Sequence, residues 1–362
     1  MRLGTCIALE LAVVAGAVTG GYLAITRTGE LAGDYLSARE ASAATPSAAR
    51  APTLEALPAA ELRVAAPPIP QTVFGVGDDV LLAPLGASPV AQVKINHGGT
   101  SLSLRVEFAS GARAAFKPQQ IHPQSDPRKE IAAFRIDRLL GIGHVPPARP
   151  IALAVDDLVA ASEPIYRTYT ASRIDSEAIA KDGIVRGELS WWIPEIRDLR
   201  IGAYRVDEDE GIDLWTSYLQ AGATIPREVK PLVEQLAACV LFDILIDNSD
   251  RWTGNNTKGS VDGKTLYFMD NTLSFSVFTV GHETNLGPLR KMSVFPRQLV
   301  TRLRALTREQ LVAAIGDGDN AGMGPLLDED QIHAILQRRD HLIHYIDAMI
   351  AEFGEDAVLA LP

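Results

Sequence analysis

The sequence predicts an α+β protein of two lobes, a small β-rich lobe with one key helix followed by a larger, mainly helical lobe. Three observations carry that prediction. Apolar and polar residues alternate with a period near two in the stretch from about residue 90 to 118. A well-punctuated helix follows directly. From about 150 onward apolar residues recur at helical spacing, most clearly in 228–246 and 329–353. The chain has 362 residues, 47% hydrophobic and 22% charged. That balance excludes a disordered, collagen-like or polytopic membrane chain. A net charge of −11 argues against a nucleic-acid partner, since a basic field supplies most of that affinity. The two cysteines, Cys6 and Cys239, support neither a disulfide framework nor a Cys-rich zinc module.

Residues 1–30 read as a signal peptide or an N-terminal membrane anchor. Between Leu3 and Thr26 the only charge is Glu10, and 24 residues of helix would span roughly 36 Å, enough to cross a bilayer core. Ala15-Gly16-Ala17 offers a small-residue cleavage region. Glu10 weakens the anchor reading, because an acid within a span costs on the order of 3 kcal/mol. Residues 31–70 read as a linker: positions 41–70 hold 11 Ala and 6 Pro, too little apolar bulk to offset ordering entropy. The folded domain is expected over 71–355, with the small lobe about 71–160 and the large lobe about 161–355. The segment and tether point to an exported or membrane-anchored protein, with a cytoplasmic location left open.

Within the small lobe, residues 100–108 and 112–118 are expected to form two strands of a hairpin about Ser110-Gly111. Asp126 is a good N-cap, Pro127 suits the first helical position, and Gly141 suits the stop. Ile131, Phe134, Ile136, Leu139 and Leu140 give that helix an apolar face. The large lobe is expected to hold helices at 228–246, 307–315 and 329–353.

Four polar positions stand out against apolar surroundings. Lys117 ends the second strand, and Glu130 begins the helix thirteen residues later. Asp250 follows the longest apolar run of the second half. Asp270 ends an expected strand, TLYFMD, and precedes Asn271. Phosphoryl transfer from a nucleotide calls for such a set: a lysine on phosphate oxygens, a glutamate holding it, an aspartate beside the acceptor hydroxyl, and a second carboxylate on a metal. Their order is that of a protein-kinase-like fold. Asn255, five residues after Asp250, has the offset expected of a metal helper. Each position also has a plainer reading. Lys117 would be a solvated strand end, Glu130 a residue favoured by the helix dipole, and Asp250 and Asp270-Asn271 turn residues.

The chain resembles the secretory-pathway atypical kinases typified by Golgi casein kinase, glycosaminoglycan xylosyl kinase and four-jointed. The resemblance lies in HGGTSLSLRVEFASGARAAFKPQQ, EIAAFRIDRLLGIGHVPPARP, GELSWWIPEI, FDILIDNSDR, LYFMDNTLSF and GPLRKMSVFPRQLVTRLRAL, six stretches in order over roughly 95 to 350. It implies a bilobal kinase-like fold and an ATP-dependent kinase working with Mn²⁺ or Mg²⁺. The acceptor would be a hydroxyl of a protein Ser/Thr or of a sugar. It also implies roles: Asp250 as catalytic base, Lys117, Glu130 and Asp270 at the nucleotide, and Asp270, Asn255 and Glu130 at the metal. The lack of disulfides, together with the N-terminal segment, suggests a bacterial, exported or tethered member. The alternatives are a pseudokinase scaffold without turnover, or a HipA-type or phosphoinositide-kinase-like relative.

The remaining signals read as structural. Asp137 is expected to be an ion-pair residue, Trp252 a core residue, and Trp191-Trp192 a packing pair. Asp317 to Gly322 reads as a plain loop, since Ala321 sits where a calcium ligand should be. His341 and His344, in a helix with Arg338 and Arg339, are expected at the surface. Cys239 is expected to be buried.

Overall fold

In the computed structural model, residues 72–96, 100–253, 256–316, 318 and 320–362 are described. The N-terminal segment and linker, Gly98-Gly99, Asn255 and Asp317 lie outside the described residues. Helix α1 (Asp78–Leu82) leads into three antiparallel strands, β1 (Val90–Ile95), β2 (Leu104–Phe108) and β3 (Arg113–Pro118). Gly111 makes the expected turn between β2 and β3 with a φ of +82° that a Cβ would strain. Only the second half of the expected 100–108 strand joins the ladder.

Asp126 caps helix α2 (Pro127–Leu139), its side chain accepting from the Arg128 N–H at 3.0 Å. Then come β4 (Ala148–Ala154), α3 (Val155–Ala160), α4 (Arg167–Glu177), β5 (Ala180–Lys181) and β6 (Ile184–Trp191). The sheet runs β1-β2-β3-β6-β4, with β5 on β6. Its apolar face buries Leu104, Val106, Phe108, Ala114, Phe116, Val185 and Leu189 against Leu158 and Ile174. The small-lobe sheet thus reaches Trp191, well past the boundary near 160 drawn from the sequence. Strand β6 returns beside β3 after α2, α3 and α4, a crossover that periodicity does not reveal.

Short pairings, β7 (Arg197–Asp198), β8 (Arg200–Ile201) and β9 (Tyr204–Arg205), lead to α5 (Asp209–Ser217) and α6 (Lys230–Ile246). Helix α6 is apolar on nearly every side and forms the axis of the large core. After β10 (Lys258–Gly259), helices α7 (Glu283–Leu289) and α10 (Glu329–Phe353) pack against it, α8 (Arg297–Ala305) and α9 (Arg308–Ile315) add to the same core, and α11 (Glu355–Val358) follows. Capping boxes at Thr307/Gln310 and Asp328/Gln331 start α9 and α10 where the sequence places them. Helix α2 packs into this large core through Ile131, Ala132, Ala133 and Ile136. Among the described residues, no helix is long and apolar enough to cross a membrane.

One expectation needs correction. TLYFMD is not a ladder strand: Leu266 forms an isolated bridge to Gly259, and residues 267–270 belong to no strand. Its backbone groups bond elsewhere, Phe268 N–H to the His144 carbonyl at 3.1 Å, and Asp270 turns off at a φ of +61°. Arg338 is buried, donating to the carbonyls of Leu245 at 3.0 Å, Ser276 at 3.1 Å and Phe278, and burial pulls its guanidinium down to about 10. His341 and His344 are exposed as expected.

Asp137 is fully buried and accepts from the N–H groups of Gly143 at 3.0 Å, His144 at 3.0 Å and Val145 at 3.2 Å, besides its ion pair with Arg138. It therefore fixes the loop that returns from α2 to the sheet. Asp137→Ala leaves three backbone donors without an acceptor, at ~1–3 kcal/mol for each such group that water cannot reach. A loss of about 3 kcal/mol in urea unfolding is expected; a loss under about 1 kcal/mol would show that water replaces the carboxylate.

Candidate active site

Alternation along β3 decides which side chains reach the cleft. Ala114 and Phe116 point into the sheet core, so Ala115 and Lys117 point the other way. Register with β6 sets Ser190 opposite Ala115 and Glu188 opposite Lys117. Gly187 permits the close approach of the two strands, since a Cβ there would lie 2.2 Å from the Lys117 carbonyl oxygen.

The Lys117 ammonium donates to Glu130 Oε1 at 2.7 Å and to Asp270 Oδ1 at 2.7 Å. One lysine thus ties β3, α2 and the segment after β10 together. Burial works against its charge, but Asp270, Glu130 and Glu188 outweigh burial and hold it protonated well above the usual lysine value. In return, the ammonium holds the Asp270 carboxyl below the usual carboxylate range. Glu130 is buried and also accepts from the Asn271 backbone N–H at 3.0 Å and from Asn271 Nδ2 at 3.2 Å. Asp270 keeps 45% of its side chain exposed, so it can meet a ligand without leaving the lysine's reach.

These groups line a cleft of about 360 Å³ with Ala115, Pro146, Trp191, Trp192 and Met269. Its apolar walls and charged end suit a flat base carrying phosphates. The tryptophan pair is therefore cleft wall and not simply packing. Arg105 lies over the Trp192 ring at 5.4 Å, and Phe74 meets Trp191 edge-on at 5.7 Å. Trp252 does lie in the core, its ring centroid 5.6 Å from that of Trp215.

Asp250 does not line this cleft; Asn248 connects it. Buried Asn248 donates to the Asp270 carbonyl at 3.2 Å and to Asn271 Oδ1 at 3.1 Å, while its own Oδ1 accepts from the Asp250 N–H at 3.1 Å. The Asp250 carboxylate accepts from Thr253 Oγ1 at 3.0 Å and Asn256 Nδ2 at 2.5 Å. Beneath it, fully buried Arg251 pairs with Asp243 at 3.1 Å, donates to Asn271 Oδ1 at 2.8 Å and to the Asn256 carbonyl at 3.3 Å, and reaches the Met269 carbonyl. One guanidinium thereby fixes both the Asp250 loop and the Asp270 turn.

Lys117, Glu130 and Asp270 meet, and Asp250 is joined to them through one residue. Asn255 lies outside the described residues. Glu188 and Asn248 were not singled out from the sequence. Asn248 sits in the noted FDILIDNSDR text, whereas Glu188 becomes visible only through the β3–β6 register.

The donors fit a hard divalent cation. Glu130 and Asp270 offer only oxygen, and among the described residues no group of three or more His, Cys, Asp or Glu is placed to hold a metal alone. A pair of carboxylates is a donor set suited to Mg²⁺ or Mn²⁺, commonly held by one or two carboxylates together with nucleotide phosphates.

No family model matches the chain. It is 22% identical to human glycosaminoglycan xylosylkinase, covering 76% of each protein. It is 23% identical to the Danio rerio xylosylkinase, covering 68% of this chain and 69% of that one. To the human extracellular serine/threonine protein kinase FAM20C it is 22% identical, covering 72% of this chain and 52% of the relative. Among solved structures, Golgi casein kinase with Mn/ADP bound superposes with a TM-score of 0.61 at 18% identity, covering 78% of each chain. Hydra Fam20 with sugar does so at 0.56 and 18%, covering 76% of this chain and 90% of that one. By sequence the chain is similar to the glycosaminoglycan xylosylkinases, and by fold to the Golgi casein kinase, whose kinase-like α+β architecture it shares.

Proposed function

We propose that the protein is an ATP-dependent kinase that transfers the γ-phosphate to a hydroxyl of a protein Ser/Thr or of a sugar, assisted by Mn²⁺ or Mg²⁺. The observation that carries this reading is the single ammonium of Lys117 bonded to Glu130 and Asp270 at the charged end of an apolar-walled cleft. The relatives are named as kinases of a glycosaminoglycan and of protein Ser/Thr, and one solved neighbour holds Mn and ADP.

In this reading Lys117 neutralises nucleotide phosphate oxygens, and Glu130 keeps its ammonium over the cleft. Asp270 and Glu130, with Asn255, would hold the cation. A divalent cation held there would supply neutralisation of phosphate charge. Asp250 orients the acceptor hydroxyl and takes its proton, while Asn248 holds the distance between Asp250 and Asp270. The Trp191 and Trp192 walls would receive the flat base.

The chain organisation belongs to the same reading: a signal peptide or anchor over 1–30, a linker over 31–70, and an extracytoplasmic kinase domain over 71–355. One relative is named extracellular and another Golgi, which supports an extracytoplasmic site of action.

The test is thermal shift with ATP and Mn²⁺, followed by phosphotransfer to casein and to a xylose-terminated sugar. Metal-dependent stabilisation and turnover on one acceptor are expected. Asp270→Ala should keep the fold and lower affinity for the metal–nucleotide pair by ~100-fold, as loss of a charged, metal-facing group implies. Wild-type nucleotide affinity in that variant would refute the metal assignment. Binding without turnover on any acceptor would favour the scaffold reading.

A further inference from the structure

Glu188 is unlike the other carboxylates of the cleft. It lies in β6, directly across the ladder from Lys117, so both side chains share the cleft face. It is completely buried. One oxygen, Oε2, accepts from Ser190 Oγ at 2.8 Å. The other, Oε1, has no partner in the structure. A buried acceptor left unmatched is costly, and such groups call for an explanation.

The Lys117 ammonium carries three hydrogens, and its bonds to Glu130 and Asp270 occupy two. Those two carboxylates are the ones assigned to the cation. An oxygen that turns to a divalent ion is a weaker acceptor for the lysine, so loading the cleft would loosen the ammonium at the moment it must face the phosphates. The unmatched oxygen across the ladder is placed to compensate.

We propose that Glu188 is a positioning residue for Lys117, the acceptor that holds the ammonium in place once Glu130 and Asp270 engage the cation. This rests on the kinase reading above. It gives β6 a role in the chemistry through β3: the ladder fixes where Glu188 sits, and Glu188 fixes where the lysine points. The partnership is confined to the metal-loaded state, because without metal Lys117 is already held by two carboxylates.

The experiment compares wild type, Glu188→Gln, Glu188→Asp, Lys117→Met and the Lys117→Met/Glu188→Gln pair, by calorimetric titration with ATP in Mn²⁺ and in EDTA. Glu188→Gln keeps the shape and the Ser190 bond, so its melting temperature should stay near that of wild type. Its affinity for ATP in Mn²⁺ is expected to fall by ~10-fold or more, the scale seen when an outer partner of a metal site is lost. In EDTA it should match wild type. Glu188→Asp, which keeps the charge, should regain part of the loss. In the Lys117→Met background, Glu188→Gln should change nothing further, since Glu188 acts through the lysine. Equal affinity of Glu188→Gln and wild type in Mn²⁺ would overturn the proposal alone. An additive loss in the Lys117→Met background, or an equal loss in EDTA, would overturn it as well by showing a merely structural role. A wild-type protein that takes up no ATP in Mn²⁺ would remove the kinase reading and this inference together.

Discussion

Asp250→Asn is expected to bind ATP and Mn²⁺ as wild type does, yet to lose about 10²–10⁴-fold in kcat, the contribution of a well-placed general base. The reason lies in how its carboxylate is held. Oδ1 and Oδ2 each accept one side-chain bond, from Thr253 and Asn256, and the backbone N–H is pinned by Asn248. That leaves acceptor lone pairs for an incoming hydroxyl. The amide keeps the shape but offers an NH₂ in place of a basic oxygen. It does not touch Lys117, Glu130 or Asp270, so nucleotide affinity should be spared. Single-turnover phosphotransfer alongside a nucleotide titration separates the two effects. A variant with unchanged kcat would remove Asp250 from the chemistry, and one with weakened nucleotide binding would place it at the phosphates.

Arg251→Met should be the most damaging single change to stability, at about 3–5 kcal/mol, because it leaves the Asp243 carboxylate buried without its cation. Both side chains are fully buried, and burial already pushes the Asp243 carboxyl up. The substitution also strips a donor from Asn271 Oδ1 and from the Met269 and Asn256 carbonyls. Urea unfolding with the midpoint and slope fitted separately measures the loss. The double variant Asp243→Leu/Arg251→Met should recover much of it, since a buried ion pair exchanged for apolar groups of similar volume is often close to neutral. A single variant within about 1 kcal/mol of wild type would mean that water reaches Asp243 and that the pair is not a structural hub.

Much of the fold is written in local patterns. The α2 boundaries follow from Asp126, Pro127 and Gly141, and the starts of α9 and α10 from Thr307 and Asp328, because caps are short-range chemistry. TLYFMD misleads because its composition favours extended backbone while its hydrogen-bond partners are set by distant His144 and Lys258. The burial of Arg338 is not legible, because its carbonyl acceptors come from other segments of the chain. In the site, Lys117, Glu130, Asp250 and Asp270 stand out in the sequence as polar positions among apolar ones; the structure brings the first two to Asp270 and joins Asp250 to them through Asn248. Glu188 does not stand out, because nothing short of the strand register places it across from Lys117.

Helix α2 has its roots in the larger lobe. Ile131, Ala132, Ala133 and Ile136 are wholly enclosed there, while Glu130 on the same helix reaches the cleft. Swinging that helix outward would wet four enclosed side chains and strand the glutamate, a cost on the order of several kcal/mol. A kinase built this way would be assembled in its working posture. Its throttle would therefore lie outside the catalytic frame, in how much nucleotide, metal and acceptor reach it.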